Sequence, residues 1–279
     1  MPYQFRHAIC NEVFADVPFD AACRAIGEAG YAGIEIAPFT LGEDPARIPA
    51  GQRRQYRTVL ESEGLEFVGL HWLLVAPKGL HMTTPNAVVR ERTREHLHAL
   101  IDLCAQLGPG GVMVFGSPQQ RASTGGLSAS EATKYLVEGL AELAPHALEG
   151  RVTILLEALP RAQCDVVVTL DEAASIVRQI SSPAVQTMFD IHNAIEEVEP
   201  HAALVDRHFE LIRHVHINEM DGRHPGTGSY DFKPVLNRLR WRAYPGWISL
   251  EVFDFSPGAG RIAADSLRYI RSEIAGMES

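Results

Sequence analysis

The sequence predicts an α/β protein in which a single domain, 1–279, closes into a (β/α)8 barrel. Three observations lead there. Strand-like and helix-like segments alternate eight times along the chain. None of them reads as a β-hairpin, so consecutive strands run parallel through helical crossovers. No Gly-x-Gly-x-x-Gly follows the first strand, which disfavours the alternative of an open, doubly wound sheet.

Apolar runs of five to eight residues, rich in β-branched side chains, mark the strands at 4–10, 33–39, 66–73, 111–115, 152–159, 185–191, 213–218 and 247–253. Helical patterns fill the intervals. The first, 19–30, opens after Pro18 and closes on Gly30, and the second, 52–64, again closes on a glycine. Over 86–107, Val89, Thr93, Leu97, Leu100 and Leu103 share one stripe. Ser128 and Glu131 spell a capping box before 128–148, and Thr169 with Glu172 opens 169–180 in the same way. Helices over 200–212, 232–239 and 261–275 complete the series. The longest irregular stretches, 71–85 and 117–127, follow the third and fourth strands. They fall on the C-terminal face, where barrel active-site loops sit. No linker, low-complexity run or further repeat interrupts this period.

Composition narrows the function classes. Lys and Arg number 25 against 35 Asp and Glu, a net charge of −10, and phosphate backbones need the opposite balance, so no nucleic-acid partner is expected. At 46% hydrophobic residues the chain can build a sizeable core. Apolar runs such as 152–156 are far short of the roughly 20 residues that span a bilayer, so no membrane partner is expected either. No basic segment leads into an apolar run near the N-terminus, which predicts a chain without a secretory signal. Cys10, Cys23, Cys104 and Cys164 are widely spaced, excluding a zinc knuckle and predicting four reduced thiols in a cytoplasmic protein. The oligomeric state stays open, a homo-oligomer included.

The last four strands each carry a metal-ligand type near their C-terminal end: Glu157, Asp190, His216 and Glu251. Neighbouring barrel strands would bring these onto one arc of the rim. A single such glutamate is usually a solvated or ion-paired rim residue. Ionised carboxylates in apolar strands cost several kcal/mol unless paired or bound to a cation, and three in one mouth repel each other. One divalent cation resolves both problems. Three hard oxygens and one imidazole suit Mn2+, Mg2+ or Co2+; with no thiolate and one histidine, Zn2+ is the less typical choice. His214 shares a face with His216 by the period of two, but His216 lies nearer the strand end and is the expected ligand.

Other residues carry weaker signals. Trp72 reads equally as an aromatic stacking platform for a ligand at the mouth or as a rim hydrophobe. His71, Arg121 and Glu35 could hydrogen-bond hydroxyls. The loop 225–228 reads as a phosphate cradle or a plain turn, and the scarcity of cations beyond Arg223 favours a neutral ligand over a phosphorylated one.

The stretches EALPRAQCD (157–165), FDIHNA (189–194), HVHINEMDGRHPGTGSYDF (214–232) and ISLEVF (248–253) resemble the xylose-isomerase-like TIM-barrel superfamily of sugar isomerases and epimerases. Within it they look most like the ketose 3-epimerases of the D-tagatose and D-psicose type. The resemblance implies one divalent metal, Mn2+ before the others, held by Glu157, Asp190, His216 and Glu251, with Glu157 and Glu251 also moving the proton. The family's Glu-Pro-Leu-Asn-Arg run appears as Glu157-Ala-Leu-Pro-Arg161, which implies a substrate role for Arg161. The family's substrate histidine is displaced to His192, with Asn193 at its usual place, and its substrate arginine to Arg223, with Gly222 at its usual place.

The expected activity is metal-dependent isomerisation or epimerisation of a sugar, ketose 3-epimerisation through an enediolate foremost. Two alternatives stand beside it. A lyase of the inosose or 3-dehydroshikimate dehydratase type would take a keto-polyol and lose a β-hydroxyl from the same enolate. A non-catalytic barrel would only bind sugar. An endonuclease IV-like site fits poorly, because FGSP after the fourth strand lacks histidine and the chain is acidic.

Overall fold

The computed structural model describes residues 5–276. Gln4, at the head of the first predicted strand, and the ends 1–3 and 277–279 of the predicted domain lie outside the described residues. Eight parallel strands form a closed barrel in chain order: β1 (Arg6–Cys10), β2 (Gly33–Ile36), β3 (Glu66–Leu70), β4 (Val112–Phe115), β5 (Thr153–Leu156), β6 (Val185–Asp190), β7 (Ile212–Ile217) and β8 (Trp247–Leu250). Closure is made by β8 against β1, with Arg6 opposite Trp247 and Ile9 opposite Leu250. That pairing excludes the open doubly wound sheet.

The helices are α1 (Phe19–Glu28), α2 (Ala50–Ser62), α3 (Ala87–Leu107), α4 (Pro118–Arg121), α5 (Ala129–Glu149), α6 (Leu170–Ile180), α7 (His201–His208), α8 (Lys233–Trp241) and α9 (Ala259–Gly276). All but the short α4, which lies in the loop after β4, belong to the βα repeat. Caps account for several starts. Asn86 Oδ1 accepts from Val88 and Val89 N–H at 3.0 and 3.3 Å. Ser128 and Glu131 satisfy each other in a full capping box. At Thr169 the box is one residue out of register: Thr169 Oγ1 caps Glu172 N–H, but the Glu172 carboxylate takes the N–H of Val168 at 2.6 Å.

The predicted strands 33–39, 66–73, 152–159 and 247–253 all run past the observed ends at Ile36, Leu70, Leu156 and Leu250. Ala37, Leu73, Leu159 and Val252 are buried without belonging to a strand. Apolar character here marks burial over the barrel mouth rather than continued ladder pairing. Ile212, expected to end a helix, instead begins β7, because α7 stops at His208 and a 3-10 turn at Phe209–Leu211 leads into the strand.

Most of the core lies between barrel and helices, where Ile9, Ile34, Leu100, Leu140 and Leu267 are buried. A smaller set, Val112, Val114, Leu155 and Met188, fills the barrel interior. The period of two then decides the site. Glu157 is two residues beyond Leu155, Asp190 two beyond Met188, His216 two beyond His214 and Glu251 two beyond Ser249, so all four stand one layer above the interior plug. All four cysteines are free and buried. Among the described residues no helix is long and apolar enough to cross a membrane.

Candidate metal centre and active site

The ends of β5 to β8 bring Glu157, Asp190, His216 and Glu251 together, their ligand atoms all within 4.8 Å of one another and all four side chains buried. His216 Nδ1 lies 3.0 Å from Glu251 Oε2, 3.4 Å from Asp190 Oδ2 and 4.0 Å from Glu157 Oε1. It makes no well-formed hydrogen bond. Burial, reinforced by Glu251 and Asp190, pushes the Glu157 carboxyl up to about 8. Burial raises Glu251 too, against the pull of His216. His216 itself would be lowered by burial, but Glu35 and Glu251 outweigh this and hold it well above the ordinary range. Three crowded carboxylates around an imidazole nitrogen with no bond, two of them, Glu157 and Glu251, resisting ionisation, form a donor set suited to one hard divalent cation.

Neighbouring groups set these side chains. Asn193 Nδ2 donates to Glu157 Oε1 at 3.0 Å, and its backbone N–H donates to Asp190 Oδ1 at 2.8 Å. Asn218 Nδ2 reaches both Asp190 oxygens at 3.4 Å. Trp72 Nε1 donates to Glu251 Oε1 at 3.0 Å. Gly116 leaves the room Glu157 needs, since a Cβ there would stand 2.2 Å from Glu157 Oε2. The metal-type cluster opens into a narrow cleft walled by Trp72, Ser117, Leu159, Gln163, Asn193 and Phe253.

The expected substrate residues divide. His71 and Trp72 line the cleft. His71 is 1% exposed, with Nε2 2.8 Å from Glu12 Oε2. Trp72 is tied to Glu251 through its indole N–H, and its ring lies 6.4 Å from that of Phe253. Arg161, His192 and Arg223 are not part of the cleft wall. Arg161 faces solvent beside Glu196, its backbone N–H on the Glu196 carboxylate. His192 packs against Phe253 with Nδ1 2.8 Å from the Met220 carbonyl, and the next residue, Asn193, enters the site in its stead. Arg223 turns outward onto Asp221. Arg161 keeps the family spacing from Glu157 yet turns outward, whereas His192 and Arg223 each stand one residue off the family spacing.

Two further expectations are corrected. Arg121 is fully buried, and Nη1 donates to the carbonyls of Glu157 and Phe115 at 2.7 and 3.0 Å, so it braces the β5 end instead of meeting hydroxyls. Glu35 is also fully buried, beneath the mouth, where burial would raise it but His216 and His214 hold it well below its ordinary value. The loop 225–228 is a turn: the buried Glu219 carboxylate accepts the N–H groups of Gly226 and Tyr230 at 2.9 and 3.2 Å. A carboxylate already fills the place a phosphate would take. Sequence reasoning missed Glu12, Gly116 and Gln163. An acid in the apolar run Asn11-Glu-Val-Phe14 was the signal available for Glu12.

These features match one family. The model of the xylose isomerase-like TIM barrel matches residues 23–273, and the chain belongs to that family. Fructoselysine 3-epimerase of Shigella flexneri is 23% identical over 249 residues, covering 85% of this chain and 86% of that one. D-psicose 3-epimerase of Enterocloster bolteae is 31% identical over 123 residues, 44% of this chain and 40% of that one. The crystal structure of D-psicose 3-epimerase from Clostridium cellulolyticum H10 with D-tagatose superposes with a TM-score of 0.84 at 17% identity, over 97% of this chain and 99% of that one. This last likeness is one of fold.

Proposed function

We propose that this chain is a divalent-metal-dependent ketose 3-epimerase acting on an unphosphorylated sugar. The observation that carries the reading is the meeting of Glu157, Asp190, His216 and Glu251 within 4.8 Å, with His216 Nδ1 unbonded among three carboxylates. Family membership and the names of the two curated relatives support the same reaction class. Sugar binding alone would not call for two carboxylates flanking one cation site. The donor set favours Mn2+, then Mg2+ or Co2+, with Zn2+ less suited.

When bound, the cation would polarise the substrate carbonyl and so acidify the neighbouring C–H. The proton is moved by the chain. Glu157 and Glu251 stand after β5 and β8, three strands apart on the rim, and so address opposite faces of a substrate carbon. One takes the proton beside the carbonyl; the other returns a proton to the far face, inverting the centre through an enediolate. Asn193 and Trp72 orient these two carboxylates, each through one hydrogen bond of 3.0 Å. Gln163 offers a polar contact to hydroxyls, while Leu159 and Phe253 wall off water.

The test is a panel of ketoses and keto-inositols offered to protein stripped with a chelator and reloaded with each metal in turn. The expected result is an epimer of unchanged mass, formed only after reloading, and loss of bound metal in Asp190→Ala and His216→Ala. A product lighter by one water assigns a keto-polyol dehydratase instead, and no turnover across the panel assigns a sugar-binding barrel. Wild type that binds no divalent ion would sink the metal centre.

A further inference from the structure

Glu35 is a buried carboxylate that the reaction above does not use. It lies at 0% exposure on β2, opposite Cys10 of β1, and its side chain crosses the barrel interior to β7. There His214 Nε2 stands 2.7 Å from Glu35 Oε2, and His216 Nε2 stands 3.1 and 3.2 Å from the two Glu35 oxygens. His71 Nδ1 lies 3.7 Å from Oε1. Every ion-pair partner of Glu35 among the described residues is thus an imidazole. The period of two gives β7 both inward rings, set edge to face with centroids 5.1 Å apart.

The chemistry of that contact is directional. An ionised carboxylate only accepts, so the proton of a neutral His216 must sit on Nε2. Its lone pair is then on Nδ1, the nitrogen facing Glu251, Asp190 and Glu157. We infer that Glu35 is a positioning residue that selects the Nε2–H tautomer of His216 and fixes its ring so that Nδ1 serves as the metal ligand, with His214 as the second arm holding Glu35 in place. This rests on the reading of His216 as a ligand. Partners of this kind raise ligand basicity, and their removal typically weakens metal binding about 10–100-fold.

The test is Mn2+ titration of wild type and Glu35→Gln, with circular dichroism to check the fold. Gln keeps the shape but loses the charge and can donate as well as accept, so it no longer dictates the tautomer. The expected result is a folded variant whose Mn2+ Kd rises about 10–100-fold. Nitrogen-15 NMR of histidine-labelled, Mg2+-loaded wild type gives a second readout that needs no variant. His216 should show a protonated, hydrogen-bonded Nε2 and an unprotonated Nδ1. Equal Mn2+ affinity in a folded Glu35→Gln, or a proton on Nδ1 of His216 in the loaded wild type, overturns the inference while leaving the metal centre standing. Wild type without metal affinity overturns the metal reading, and this inference with it.

Discussion

The indole N–H of Trp72, just past β3, donates across the barrel mouth to Oε1 of Glu251, just past β8, at 3.0 Å. Trp72 adopts a left-handed backbone conformation at φ 53°, sparsely populated for an aromatic residue, and so turns its ring toward the carboxylate. The bond ties a side chain expected to contact sugar to one of the two proposed proton carriers.

Trp72→Phe keeps the ring and deletes the donor. A hydrogen bond to a charged group is worth about 1.5–3 kcal/mol, so kcat should fall at least about 10-fold with metal retained. Trp72→Ala should raise KM as well, since the cleft wall is lost. Steady-state kinetics on the two variants separates the roles, and unchanged kcat in Trp72→Phe would remove the orienting one.

Gly116→Ala probes Glu157 without touching it. The new Cβ would stand 2.2 Å from Glu157 Oε2, so the carboxylate must move. Misplacement of about 1 Å at a reacting group costs about 100-fold in rate. The variant should lose activity on that scale while still melting cooperatively. Normal turnover would mean that Glu157 has a second productive position.

Metal removal should reveal itself in the pH dependence of stability. In the metal-free chain the Glu157 carboxyl lies at about 8 against an ordinary 4.5, raised by burial and then by its acidic neighbours, and Glu251 and His216 are raised too. Each holds its proton more tightly folded than unfolded, so between those values the folded state binds more protons and loses stability as pH rises. A cation that replaces these protons gains with rising pH. Thermal melts from pH 5 to 8 should therefore show a falling Tm for chelated protein and a widening gap to the loaded form. A gap that is constant or absent contradicts the site.

The barrel and its four converging groups were legible in the sequence for a simple reason. A charged residue in an apolar, β-branched run stands out, and strand alternation says which face it takes. Glu157, Asp190, His216 and Glu251 all follow that logic. Strand ends were less legible because Leu73, Leu159 and Val252 stay buried after leaving the ladder. Contacts across the barrel were not legible at all. Trp72 with Glu251, Glu35 with His216 and Glu12 with His71 join strands whose relative height depends on barrel closure, which no local pattern encodes. Arg161 and Arg223 are loop residues, and neither a kept spacing, as at Arg161, nor one a residue off, as at Arg223, says where a loop side chain points.

In the proposed reaction Glu157 and Glu251 move a proton on opposite faces of one substrate carbon. Turnover of the active ketose by Mn2+-loaded enzyme in heavy water, followed by NMR, tests it most directly. The expected result is deuterium at the epimerised carbon beside the carbonyl, and Glu157→Gln and Glu251→Gln chains that bind metal yet turn over about 10²–10⁴-fold more slowly. Epimer formed without any solvent deuterium, together with normal rates in both glutamine variants, would contradict it and point to transfer of hydride within the substrate.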